Sequence, residues 1–188
     1  MLEAGMSSED GTESYLFLEP FFGGSHREFA EGWAQHSCKR IELQTLPARF
    51  WKWRMRGAAL HFAETVRDPQ RYRGLIVTDL MSLADLKAIW AERCPPTLLY
   101  FHENQLTYPL AAGEQADLQY GFTNLTTALA AERVLFNSHT HARAFFAELP
   151  HFLRLMPEHR PRWVVEAIDR ELDALAGPPA RAAPGTPS

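Results

Sequence analysis

Tyr15-Leu16-Phe17-Leu18-Glu19-Pro20-Phe21-Phe22-Gly23-Gly24-Ser25-His26 is the stretch that decides the fold. A short apolar run, Tyr15 to Glu19, stops at Pro20, and two adjacent glycines follow. A helical pattern then covers about 26–36, with Ser25 as N-cap and Glu28 at the third helical position of a capping box. A strand, a glycine turn and a helix in succession open a βαβ unit.

The alternation repeats downstream. Residues 38–43 form the second strand, and Met55, Ala58, Ala59, Phe62 and Val66 recur at three- and four-residue spacing in a helix over 54–66. A third strand, 75–78, ends at Asp79. A second capping box, Ser82 to Asp85, opens a helix whose Leu83, Leu86, Ile89 and Trp90 share a face. Pro95-Pro96 forbids helix, so 97–101 is a fourth strand. Then come a helix over 117–131, a fifth strand over 133–136, a helix capped by Ser138 through Leu149, and a last helix over 162–176. Strands alternating with helices predict an α/β fold with a single Rossmann-like, doubly wound parallel sheet. The nearly all-apolar strands predict helices over both faces.

The chain has 188 residues, enough for one ordinary domain or half of a two-domain enzyme. Residues 1–14 carry four acids and no base and read as a disordered leader. Residues 177–188 are rich in Pro and Ala and read as a disordered tail, leaving 15–176 as the domain. Hydrophobic residues are 46% and charged residues 22%, the balance of a globular protein with a core. No apolar run nears the roughly 18 residues of a membrane span, and no secretory pattern opens the chain. Cys38 and Cys94 cannot build a disulfide framework, which points to a reducing cytoplasm. The net charge is −4, yet seven basic residues face only two acidic ones between Pro47 and Arg73. Such a basic island in an acidic protein predicts a local anionic partner.

Ligands of wound sheets bind beyond the C-terminal ends of the strands. The unusual residues fall there: Gly23, Gly24, Ser25 and His26; Arg49, Trp51, Lys52, Trp53, Arg54 and Arg56; Asp79; His102, Glu103, Asn104 and Gln105; Asn137 and Ser138. The glycine pair before a helix suits a phosphate or other anion, or is merely a tight strand-to-helix turn. The stretch Arg49 to Arg56 interleaves aromatic and basic side chains that suit phosphates and stacked bases, or packs a loop under solvated arginines. His102 and Glu103 offer an acid–base pair or hydrogen bonds to a sugar; the plainer reading is a backbone-bonded histidine beside a solvated carboxylate. Their adjacency and the lack of a third ligand at a suitable spacing predict no metal. Nucleophile-elbow, zincin and P-loop motifs are absent.

Several strings resemble the N-terminal domain of the tRNA-queuosine mannosyltransferase family, of the GT-B glycosyltransferase class. They are Phe22-Gly23-Gly24-Ser25-His26; Leu46-Pro47-Ala48 with Trp51-x-Trp53-Arg54-Met55-Arg56; Tyr100 to Gln105 with Leu106, Tyr108 and Pro109; Gln119-Tyr120-Gly121; Phe136-Asn137-Ser138; and Leu155 to Pro161. The resemblance implies transfer of mannose from GDP-mannose to queuosine in a tRNA anticodon, with no further cofactor. It implies that this chain is the acceptor-side half and that a separate C-terminal domain holds most of the nucleotide sugar. His102 and Glu103 would then be catalytic. Gly23, Gly24, Ser25 and His26 would lie at the donor diphosphate. Arg49, Trp51, Lys52, Trp53, Arg54 and Arg56 would hold tRNA, and Asp79, Asn104, Gln105, Asn137 and Ser138 would complete the cleft. Two other readings stand beside it: a non-enzymatic RNA-binding module, and a fragment of a longer gene.

Overall fold

The computed structural model describes residues 13–109 and 117–173. The expected tail, and all of the expected leader but its last two residues, lie outside the described residues. Five strands form one parallel sheet: β1 (Ser14–Phe22), β2 (Arg40–Pro47), β3 (Gly74–Thr78), β4 (Thr97–Phe101) and β5 (Arg133–Phe136). Their order is β2-β1-β3-β4-β5. The chain winds outward one way from β1 to β2, then crosses back to β3 and continues the other way. That reversal opens a crevice beyond the C-terminal ends of β1 and β3.

Six helices connect and flank the strands: α1 (Gly24–His36), α2 (Trp51–Thr65), α3 (Leu83–Trp90), α4 (Leu118–Ala130), α5 (His139–Arg154) and α6 (Trp163–Asp173). One face of the sheet carries the main core. Leu16, Leu18, Leu75, Val77, Leu99, Phe101 and Val134 bury there against Phe62, Leu86, Trp90, Leu125, Phe145 and Ile168. On the other face Phe17 and Ile76 pack under Ala30 of α1, with Phe29 and Trp33 beside them. Phe29 stacks on Tyr100 of β4 at 4.0 Å. This second layer is thinner than expected: Leu98, Tyr100 and Leu135 on that side are only half-buried.

Several local expectations need correcting. β1 does not stop at Pro20 but runs to Phe22: β3 pairs it only as far as Leu18, but pairing with β2 resumes at Phe22–Pro47 after a register shift between Glu19 and Phe22. Pro20, which has no N–H to offer, sits in that irregular stretch. Gly23, not Ser25, is the N-cap of α1, and no side chain caps it. Gly24 takes φ +52°, a conformation that glycine adopts freely, and so the helix begins earlier. The Ser82 cap is as expected, its Oγ accepting from the Asp85 N–H at 3.2 Å. Ile89, however, leaves the shared face and is 44% exposed. α5 passes through Pro150 to Arg154, where buried Phe152 and Leu153 continue the apolar stripe of Phe145 and Leu149. Tertiary packing outweighs the one backbone bond that proline removes.

Candidate active site

Glu19 ends the buried part of β1 and has no exposed surface. Its Oε1 accepts from the Phe21 N–H at 2.9 Å and from the Thr78 hydroxyl at 3.2 Å. His26, in the first turn of α1, brings Nδ1 to 3.4 Å from the same oxygen. His102, just past β4, brings Nε2 to 3.7 Å from Oε2. These are ion-pair distances without hydrogen-bond alignment, so Oε2, Nδ1 and Nε2 all lack a hydrogen-bond partner. The two imidazoles lie close together and tilted, with ring centroids 3.9 Å apart and planes 34° apart.

Asp79 closes the floor. It is fully buried, and its Oδ1 accepts from the His102 N–H at 2.8 Å. Burial pushes its carboxyl up to about 8, against the pull of His26 and of the His102 bond. Burial also holds His102 down to about 3, with the charge of His26 adding to the effect. For His26 burial pulls downward, but contact with Glu19 and the charges of Glu19, Asp79 and Glu103 outweigh it, and its value rises. One stacked imidazole is thus favoured as a cation and the other as a neutral ring. Burial raises the Glu103 carboxyl as well.

Above this cluster lies a cavity of about 640 Å3, lined by Gly23, Gly24, Ser25, His26, Trp51, Lys52, Glu103, Gln105, Tyr108 and Tyr120 among others. Both glycines have a structural reason. A Cβ on Gly23 would sit 2.5 Å from that of Ala48, and Gly24 has the positive φ. The close approach seats the α1 turn against the turn that opens α2. His26 is only 7% exposed, yet it lines the cavity.

The stretch Arg49 to Arg56 divides rather than acting as one loop. Trp51 to Arg56 are already helical, so successive side chains point about 100° apart. Trp51 turns inward to Tyr120 at 5.0 Å and Lys52 lies over its ring at 5.6 Å. Trp53 points away into solvent and is 76% exposed. The Arg54 guanidinium donates to the Pro47 carbonyl, tying down the turn. Arg56 donates to the Gln119 side chain at 3.3 Å. Arg49 stays exposed beside Phe50, whose φ of +56° is unusual for a bulky residue.

Asn104 builds its own loop. Its Oδ1 accepts from the Leu106 and Thr107 N–H groups, and its Nδ2 meets Thr107 and His141. Asn137 donates to the His102 carbonyl at 2.6 Å and Ser138 caps α5, both beside a separate shallow groove that His102 and Glu103 share.

Glu19 was not singled out as a site residue by sequence reasoning, and Tyr120 entered only within the Gln119-Tyr120-Gly121 string of the family resemblance. Tyr120 carries no local signal. Glu19 does: a carboxylate inside an apolar strand with no basic neighbour must find its partners from elsewhere. The expectation of no metal ligands rested on chain spacing. Glu19, His26 and His102 come from three separate elements, yet their ligand atoms lie within 4.8 Å of one another.

The sequence pattern described as tRNA-queuosine alpha-mannosyltransferase N-terminal matches residues 14–178. The chain belongs to this family. It is 36% identical over 168 residues to the tRNA-queuosine alpha-mannosyltransferase of Drosophila melanogaster, an alignment that covers 87% of this chain and 44% of that protein. The chain thus spans less than half the length of that relative. No solved structure matches it. Among the described residues no helix is long and apolar enough to cross a membrane.

Proposed function

We propose that this chain is the acceptor-side half of a GT-B glycosyltransferase that moves mannose from GDP-mannose to queuosine in a tRNA anticodon. The observation that carries the reading is one cavity where the glycine turn, His26, Glu103 and the Trp51–Lys52 rim meet, with the His102 ring packed against His26. The turn and the N-terminal N–H groups of α1 suit the donor diphosphate. His102 and Glu103 orient the sugar or the reacting hydroxyl, and Lys52 faces the anionic end. Such transfer relies on positioning and on stabilising the leaving diphosphate, so no protein nucleophile is assigned. Outside the cavity, Arg49, Trp53 and Phe50 present charge and aromatic faces to the anticodon loop. A second domain supplies the remaining donor contacts, consistent with a relative more than twice as long.

The test joins this chain to a C-terminal half from a relative and follows mannose transfer to queuosine-containing tRNA. Transfer that needs both halves and His102 supports the reading; transfer unaffected by His102→Ala removes His102 from it. A second reading, an RNA-binding module without catalysis, is favoured by the exposed Trp53 and Phe50 alone. It predicts tRNA affinity that falls steeply with salt and ignores GDP-mannose.

A further inference from the structure

Glu19 is the least expected group in the molecule: a carboxylate with no exposed surface, one of its oxygens unpartnered, between two histidines. Two explanations compete. A shared metal ion would need both rings to aim a nitrogen at one point. Tetrahedral bonds of about 2.0–2.1 Å would then hold the ring centroids about 5 Å apart. They are 3.9 Å apart with their planes tilted by 34°, closer than two ligands of one ion would stand. The ion-pair explanation fits without movement: Nδ1 of His26 already stands 3.4 Å from Oε1.

We propose that Glu19 is a positioning residue that keeps His26 protonated inside the fold, so that its cation faces the cavity as the binding group for a diphosphate. This rests on the glycosyltransferase reading and deepens it by assigning the charge that receives the leaving group. With Nδ1 turned to Glu19, Nε2 is the nitrogen left for the cavity beside Gly23 and Gly24. His102, stacked beneath, stays neutral and avoids a second buried charge. The bond from the sugar's anomeric carbon to the diphosphate oxygen breaks with its electron pair going to the diphosphate, the acceptor hydroxyl oxygen bonds that carbon and its proton passes to the leaving diphosphate, and the imidazolium meets the charge developing there without itself forming a bond. The groups facing His26 are Glu19 on β1, Asp79 after β3, and His102 and Glu103 after β4; Lys52 of α2 lines the same cavity. Burial alone would strip the proton from His26; the buried carboxylate reverses that.

The test measures the pH titration of the His26 ring by NMR on the full chain, together with binding of inorganic pyrophosphate and of GDP. His26 is expected to titrate above 6.5, and pyrophosphate to weaken about tenfold as pH passes that point. Glu19→Gln should bring the titration below 6.5 and weaken pyrophosphate about tenfold at neutral pH, and Glu19→Asp should recover part of both. If Glu19→Gln does not fold, the wild-type titration decides. A His26 that titrates below 6.5, or a Glu19→Gln variant that moves neither readout, overturns the proposal. So does stoichiometric zinc whose removal abolishes pyrophosphate binding, which would make the trio a metal site. Glu19-dependent pyrophosphate binding without mannose transfer by the two-domain protein would instead sink the glycosyltransferase reading alone.

Discussion

The imidazoles of His26 and His102 stack 3.9 Å apart although one comes from the start of α1 and the other from the end of β4. The β2-β1-β3-β4-β5 order makes this possible by setting only β3 between β1 and β4. The Asp79 bond to the His102 backbone and the Asn137 bond to its carbonyl then fix the second ring in place.

His102→Ala should remove mannose transfer by the two-domain protein while circular dichroism stays native. A misplaced reacting group costs about a hundredfold or more in rate. A loss below tenfold in single-turnover assays would show that His102 only packs.

Asp79→Asn should change how stability depends on pH. Folded Asp79 keeps its proton up to about 8, whereas an unfolded carboxyl releases it near the ordinary value of 3.8. Between those values the unfolded state binds fewer protons, so the Asp79 contribution to stability falls as pH rises. His102 acts oppositely: its folded value of about 3 means stability is lost as pH falls from about 6.5 toward 3. The asparagine keeps an acceptor for the His102 N–H and never ionises. Its melting temperature should therefore match wild type near pH 4 and exceed it by several degrees at pH 8. A constant difference across that range would refute the buried-acid account.

Gly121→Ala should destabilise the packing of α4 on α5. The new methyl would fall 2.6 Å from Cε2 of Phe152, inside any permitted contact. Overpacking of this kind costs about 1–3 kcal/mol. Pairing it with Phe152→Leu should recover part of the loss in a denaturant double-mutant cycle, and strict additivity would show that the clash relaxes elsewhere.

Trp53→Ala and Trp51→Ala should separate binding from stability. Trp53 is 76% exposed, so its loss should leave stability within about 0.5 kcal/mol of wild type. Loss of a base-stacking ring weakens nucleic-acid binding by about 1–3 kcal/mol. Trp51 stacks near Tyr120, and its loss should lower stability as well. Equal effects of the two on tRNA binding and on melting would contradict the divided helix.

Much of the architecture was legible from local pattern. Short apolar runs marked β3, β4 and β5 to within a residue, and Ser82 and Ser138 marked the starts of α3 and α5, because strand propensity and helix capping depend on near neighbours. The motif residues gather along one rim, for the C-terminal ends of parallel strands lie together whatever the strand order. Tertiary structure decided which side chains meet. It turned Trp51 inward and Trp53 outward once their segment proved helical, gave Asn104 to its own loop, and brought Glu19 between His26 and the far-off His102. Contact between residues far apart in the chain follows from sheet order and burial, and neither is written in the spacing of the residues themselves.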